Sequence, residues 1–191
     1  MSIPSYVLCG GRSRRMGRHK AILRPVPDAP PLALTVARVL HSAGLGPVHL
    51  VGRQNFLQEL GLPVVPDPHD VGHHPLFGVA AALAHADRQQ ARSALVVPCD
   101  TPDLCREAIA ALLEPAGATV ATVDGRIQPL FAKLPPAWKT EAMDAARAGW
   151  SARRFVDRPE VSRVRLPASV LVDLDTPDDL ANWTLRQRRD T

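Results

Sequence analysis

Through its first hundred residues the chain alternates short apolar runs with stretches of helical periodicity, and few architectures accept that alternation. Residues 6–9, 48–51, 63–65 and 94–98 read as strands, the first and last of them suited to burial. Residues 33–43 and 76–86 carry apolar side chains at helical spacing, the first stopped by Gly44. Strands alternating with helices build a parallel sheet covered on both faces. The expected fold class is therefore α/β, a Rossmann-like three-layer sandwich with a mostly parallel sheet, in one domain spanning 1–191. Ligands of such sheets bind beyond the carboxyl ends of the strands. Gly10-Gly11, Asp67 and Asp100 each follow a predicted strand, so all belong on one rim.

The later chain is more varied. Residues 56–60 suit a short helix and 107–113 a longer one. Residues 118–123 and 127–133 flank Asp124-Gly125, a hairpin signal. Helices are expected over 137–148 and 151–156. Strands are expected over 161–166 and 170–174, and a closing helix over 177–185, with Pro177 in its first turn. The proline-rich stretch 24–31 and the polar stretch 67–74 read as loops.

The stretch from Tyr6 to Lys20 carries the strongest chemical signal. An apolar strand empties into Gly10-Gly11, and then Arg12, Arg14, Arg15, Arg18 and Lys20 place five cations within nine residues. Glycine lets backbone amides approach a ligand closely, and point charges beside them make a cradle for an anion. The spacing fits neither a P-loop nor a dinucleotide fingerprint. Further on, Asp100 ends a buried strand, a rigid support for an oxygen ligand of Mg²⁺; capping the next helix is the plainer role for Asp100 or Thr101. On a strand over 170–174, Asp173 and Asp175 would share a face, and two like charges call for a cation between them. His69, Asp70, His73 and His74 fit no standard metal spacing and read as exposed loop histidines.

Composition narrows the class. Apolar residues make up 46%, which fits a globular domain. No apolar run could span a bilayer and no signal peptide opens the chain, so no membrane role is expected. Cys9, Cys99 and Cys105 lie far apart in sequence or are unpaired in number, which suits a reduced, cytoplasmic protein. The net charge is +4, but aromatics are only 4% and no recognition helix stands out, so no nucleic-acid partner is expected. A phosphate-rich small substrate accounts for the same excess, as does solubility.

The run from Leu8 to Lys20 resembles the signature of the molybdopterin nucleotidyltransferases, roughly Leu-Ala-Gly-Gly-x-Ser-x-Arg-Met-Gly-x-Asp-Lys. It matches at Leu8, Gly10, Gly11, Ser13, Arg15, Met16, Gly17 and Lys20. It departs at Cys9, where alanine is usual, and at His19, where aspartate is usual. Pro98-Cys99-Asp100-Thr101-Pro102 and Asp173-Leu174-Asp175-Thr176-Pro177 are similar to two more motifs of that family, and Asp67 followed by Pro75-Leu76-Phe77-Gly78 to a fourth, with His73-His74 where glycine is usual. The stretch 27–31 departs from the usual Gly-Lys-Pro-Leu.

The resemblance, to the molybdenum cofactor guanylyltransferases in particular, implies a fold of the nucleotide-diphospho-sugar transferase type. It implies transfer of GMP from GTP to molybdopterin with release of pyrophosphate. By that resemblance Leu8, Gly10, Gly11, Lys20, Asp67 and Asp100 bind the nucleotide, with Asp67 reading the base. Arg15, Lys20 and Asp100 serve the reaction, and Asp100 and Asp175 hold Mg²⁺. Gln128, Arg153 and Arg154 fall at positions the family uses towards the acceptor, although twin arginines equally suit any surface helix. The implied partners are GTP, molybdopterin, and proteins that supply the cofactor or mature molybdoenzymes. The alternatives are a cytidylyltransferase of the same cofactor, a nucleotidyltransferase for a sugar phosphate or similar acceptor, and a basic pterin-binding protein without turnover. The Gly10-Gly11 pair counts against the first, whose signature tends to Ala-Ala-Gly.

Overall fold

Successive side chains of the first strand, β1 (Ser5–Leu8), turn to opposite faces, and both faces are covered. The computed structural model describes residues 3–10, 19–26, 28–67, 74–172, 174 and 176–187. Tyr6 and Leu8 join a core that holds α2 (Pro75–Arg88), α4 (Lys139–Arg147) and α5 (Ala152–Val156). Val7 and Cys9 join a second core with α1 (Leu32–Ser42) and α3 (Arg106–Leu113). Between the two layers lies one seven-stranded sheet, ordered β3-β2-β1-β4-β6-β5-β7. Its other strands are β2 (Val48–Val51), β3 (Val64–Val65), β4 (Ala94–Pro98), β5 (Thr119–Val123), β6 (Arg126–Leu134) and β7 (Ser162–Arg165). Strand β6 pairs antiparallel with β4 and β5, and the other pairings are parallel. The expected α/β sandwich with a mostly parallel sheet is the observed one.

The sequence placed the early elements within a residue or two. The hairpin forms at Asp124-Gly125, where both residues take positive φ, 48° and 73°, as a two-residue turn matched to strand twist requires. The short helix expected over 56–60 forms as a 3-10 helix, Asn55–Leu60. One expectation needs correction. The strand expected over 170–174 is absent: Ala168–Val170 is a 3-10 turn, and Leu171, Val172 and Leu174 belong to no strand. Val170 and Leu174 are apolar because they are buried, and an apolar run alone cannot distinguish a strand from a buried irregular segment. No strand is there to set Asp173 and Asp175 on one face by alternation, and both residues lie outside the described ones.

Strand β6 carries a feature the pattern did not reveal. Its register against β5 steps from Val120–Ala132 to Ala121–Gln128, so Pro129, Leu130 and Phe131 have no facing residue there. Such bulges re-aim side chains near functional sites. Pro129 has no N–H to offer a ladder, and a proline inside a strand pattern was the available signal.

Tyr6 and His49, both buried, meet the half-buried His85. The Tyr6 hydroxyl lies 3.0 Å from His85 Nδ1, and the two imidazole rings are 4.4 Å apart. Burial lifts the Tyr6 phenol to about 12, with Arg88 opposing. His49 is pushed below its ordinary 6.5 by burial and by His85, against a hydrogen bond with Pro47. His85 is pushed down by burial and by Arg88. In the unfolded chain both histidines bind protons near pH 6.5, while the folded protein keeps them neutral to lower pH. Between those values the unfolded state holds more protons, so stability should fall as pH drops below about 6.5. Thermal unfolding followed from pH 7.5 to 5.5 should show a falling midpoint, and His49→Phe should flatten it; a level profile for the wild type would refute the linkage.

Candidate active site

The rim is built where β1 and β4 end side by side. Leu8 faces Pro98 in register, and each ladder continues one residue further: Cys9 donates its N–H to the Val51 carbonyl (2.8 Å) and Cys99 to the Leu8 carbonyl (3.2 Å). Gly10 and Asp100 follow at the same level. Gly10 is exposed, and among the described residues a Cβ there would meet nothing within 4 Å. Lys20 opens a 3-10 turn, Lys20–Ile22, and its Nζ donates to Asp100 Oδ2 at 2.7 Å. The two side chains are only 15% and 17% exposed, so this ion pair is shielded from bulk water.

Asp100 caps no helix. Helix α3 starts at Arg106, after Cys105, and its N-cap makes no side-chain hydrogen bond. Thr101 is buried and turns its hydroxyl back to the Pro98 carbonyl. The structure thus sets aside the capping role for Asp100 and leaves its carboxylate to Lys20 and the rim. The Asp100 carbonyl accepts the N–H of Leu174 at 3.3 Å, so Leu174 lies just beyond the end of β4.

Both departures at histidine have a local explanation. His19 Nδ1 accepts the Ala21 N–H (3.4 Å), the bond an aspartate would make as N-cap of the same turn. His74 Nδ1 accepts the Leu76 N–H (3.3 Å) at the start of α2. His74 is therefore a helix cap rather than a loose loop side chain; His69, Asp70 and His73 lie outside the described residues. Among the described residues no group of three His, Cys, Asp or Glu side chains could hold a metal.

The fold also joins cysteines that the sequence separates. Cys9 and Cys99 are buried on the same face at the ends of adjacent strands. A hydrogen bond between the two thiols, with burial, pushes Cys99 well above its ordinary value, so it stays protonated and packs as a small apolar group.

A cleft of ≈ 180 Å³ opens beside Asp100, lined by Pro98, Thr101, Gln128, Pro129, Leu130, Phe131 and Leu171. Strand β6 supplies four of these residues, three of them from the bulge, so Gln128 lines the same cleft as Asp100. Arg153 and Arg154 are exposed on α5 and do not line it; the Arg154 guanidinium lies 3.8 Å above the Trp150 ring. Asp67, two residues past β3, lies on the same rim. Three strand spacings separate β3 from β4, about 14 Å. Gly11 and Arg15, with the other signature cations from Arg12 to Arg18, lie outside the described residues.

A family pattern, the MobA-like NTP transferase domain, matches residues 5–164. The chain belongs to that family. As a MobA-like domain it is similar to the molybdenum cofactor guanylyltransferase of Yersinia pestis, with 28% identity over 98% of this chain and 97% of the relative. Its fold is also that of molybdopterin-guanine dinucleotide biosynthesis protein A from Archaeoglobus fulgidus (TM-score 0.74, 21% identity, 98% of this chain and 100% of the other). A Mycobacterium tuberculosis protein solved in complex with manganese shares it too (TM-score 0.67, 18% identity, 97% and 99% coverage). Membership makes this MobA-like chain a nucleotidyltransferase by family. No helix among the described residues is long and apolar enough to cross a membrane.

The donor set on the rim fits a hard divalent cation. Asp100 offers carboxylate oxygens from a rigid strand end, and one of them already holds a cation, the Lys20 ammonium. Asp175, the other carboxylate expected of the site, lies outside the described residues.

Proposed function

We propose that this protein transfers GMP from GTP to the terminal phosphate of molybdopterin and releases pyrophosphate. The observation that carries the reading is the shielded Lys20–Asp100 pair, set at the open Gly10 rim between Asp67 on one side and the Gln128 cleft on the other. The names of the Yersinia and Archaeoglobus proteins support the choice of base and acceptor.

The acceptor phosphate is itself the nucleophile, so the protein needs no covalent residue. Its task is positioning and charge stabilisation. Gly10 presents backbone to the nucleotide without a side chain in the way. Lys20, with Arg15, neutralises the triphosphate and the departing pyrophosphate. Asp100, with Asp175, would hold Mg²⁺, which when bound supplies charge neutralisation at the reacting phosphate. Gln128, beside the bulge, faces the acceptor in the cleft.

Asp67 is assigned to the base. Guanine presents two adjacent donors on one edge, and a carboxylate accepts both. The protein should prefer GTP over CTP and ATP. Asp67→Asn should reduce that preference by about 1–3 kcal/mol, roughly 5- to 150-fold, because one donor then meets an amide N–H. Competition of the three nucleotides against wild type and variant measures it. Equal affinity of the wild type for CTP and GTP would overturn the guanylyl assignment.

A further inference from the structure

The turn that carries Lys20 is held by a side chain that takes no part in the proposed reaction. Lys20 opens the 3-10 turn Lys20–Ile22 and its ammonium reaches Asp100, 80 residues on. Its neighbour Ala21 is fully buried in the core that holds α1 and α3, so Ala21 pins the turn to that core. A buried amide N–H is cut off from bulk water and needs an acceptor within the protein. His19 supplies one. Its backbone is extended (φ −71°, ψ 125°), as at a helix N-cap, and its Nδ1 accepts the Ala21 N–H at 3.4 Å. The His19 carbonyl accepts the Ile22 N–H (3.2 Å) and the Lys20 carbonyl accepts the Leu23 N–H (3.0 Å), which closes the turn. The Leu23 carbonyl then accepts the Leu32 N–H (2.9 Å) at the start of α1. The His19 ring itself stands edge-on to Phe56, with centroids 4.9 Å apart, so the imidazole is braced while its nitrogen caps.

We propose that His19 is a positioning residue for Lys20: by accepting the Ala21 N–H through Nδ1 it fixes the turn that presents the Lys20 ammonium to the rim. This rests on the reading that Lys20 meets the triphosphate. The Ala21 N–H belongs to the peptide plane that joins Lys20 to Ala21, and that plane turns as a rigid unit. If the cap is lost, the plane rotates towards another acceptor, with Ala21 held in the core and Lys20 left to move. The lysine side chain then leaves the place where it faces Asp100 and the phosphates. An acceptor at His19 therefore acts on the ligand through Lys20 alone.

The test separates the two things His19 offers, an acceptor and a ring. His19→Phe keeps the ring beside Phe56 and removes the acceptor. His19→Asn keeps an acceptor suited to a cap and removes the ring. GTP affinity is read by calorimetry on the full chain without divalent metal, beside the melting midpoint. His19→Phe should weaken GTP binding roughly three- to tenfold, while His19→Asn should stay within about twofold of the wild type. In a Lys20→Ala background His19→Phe should add nothing, because a positioning residue acts only through the group it positions. Where His19→Phe misfolds, His19→Ala takes its place in each arm. Wild-type GTP affinity in His19→Phe overturns the proposal. So does equal weakening in His19→Phe and His19→Asn, or the same loss from His19→Phe with and without Lys20. Lys20→Ala alone separates the two failures. If it binds GTP like the wild type, the phosphate reading has failed; if it is weakened and His19→Phe is not, only the role of His19 has.

Discussion

Lys20→Ala should move the two ligands of the site in opposite directions. The Lys20 ammonium sits on Asp100 Oδ2 at 2.7 Å with little exposure to solvent. In that place it competes with a divalent ion for the same carboxylate oxygen. A triphosphate carries more negative charge than one carboxylate and would draw the ammonium towards itself, freeing Asp100 for the metal. Removing the ammonium costs a charge-assisted contact to phosphate, about 1.5–3 kcal/mol, so nucleotide affinity should fall roughly 10- to 150-fold. Removing the competitor should tighten Mn²⁺ binding severalfold when no nucleotide is present. The cooperativity between metal and nucleotide should shrink accordingly, since both would no longer bias one shared side chain. Calorimetric titration of GTP and of Mn²⁺, each alone and then together, reads all three quantities. Unchanged nucleotide affinity would remove Lys20 from the phosphate site. Weaker Mn²⁺ binding in the absence of nucleotide would show that Lys20 supports the metal rather than displacing it.

The fold was legible because its strongest signals are local. Apolar runs bounded by glycine and proline marked β1, β2 and β4, and Asp124-Gly125 fixed a hairpin whose turn demands positive φ. The rim followed from topology, since ligands of such sheets gather beyond the strand ends. What escaped was set by tertiary context. In the stretch 170–174 Val170 and Leu174 are buried, yet among the described residues it joins this edge of the sheet through the Leu174 N–H to the Asp100 carbonyl and forms no ladder. The bulge at Pro129–Phe131 depends on a register step between β5 and β6 that no single stretch encodes. The neighbouring thiols of Cys9 and Cys99 depend on β1 lying beside β4. His19 and His74 broke the family pattern as residues but keep a cap acceptor where backbone N–H groups need one. The bonds from the Trp183 indole N–H to Asp103 and from the Thr184 hydroxyl to the Pro25 carbonyl join residues 80 and 159 positions apart, beyond the reach of any periodicity.

Asp100→Ala should silence transfer while the protein stays folded. The backbone bond at Asp100, from the Leu174 N–H, ends on its carbonyl, which alanine retains; only the side-chain bond to Lys20 is lost. The turn after it is closed by Thr101, through its hydroxyl to Pro98 and its carbonyl to the Leu104 N–H. The melting midpoint should fall by no more than the loss of one shielded ion pair, which leaves the Lys20 ammonium without its carboxylate, while the backbone of the turn is kept. Chemistry depends on the carboxylate far more. It anchors the cation that offsets charge on the reacting phosphate, and loss of one preorganised electrostatic group costs roughly 10²–10³ in turnover. Because Lys20 and the metal both act through this side chain, the Lys20→Ala, Asp100→Ala double variant should fall well short of the product of the single losses. Turnover of GTP with molybdopterin, read beside Mn²⁺ affinity and thermal unfolding for all three variants, decides it. A collapse of the melting midpoint in step with activity would return Asp100 to a structural role, and retained Mn²⁺-dependent turnover would move the metal to other ligands.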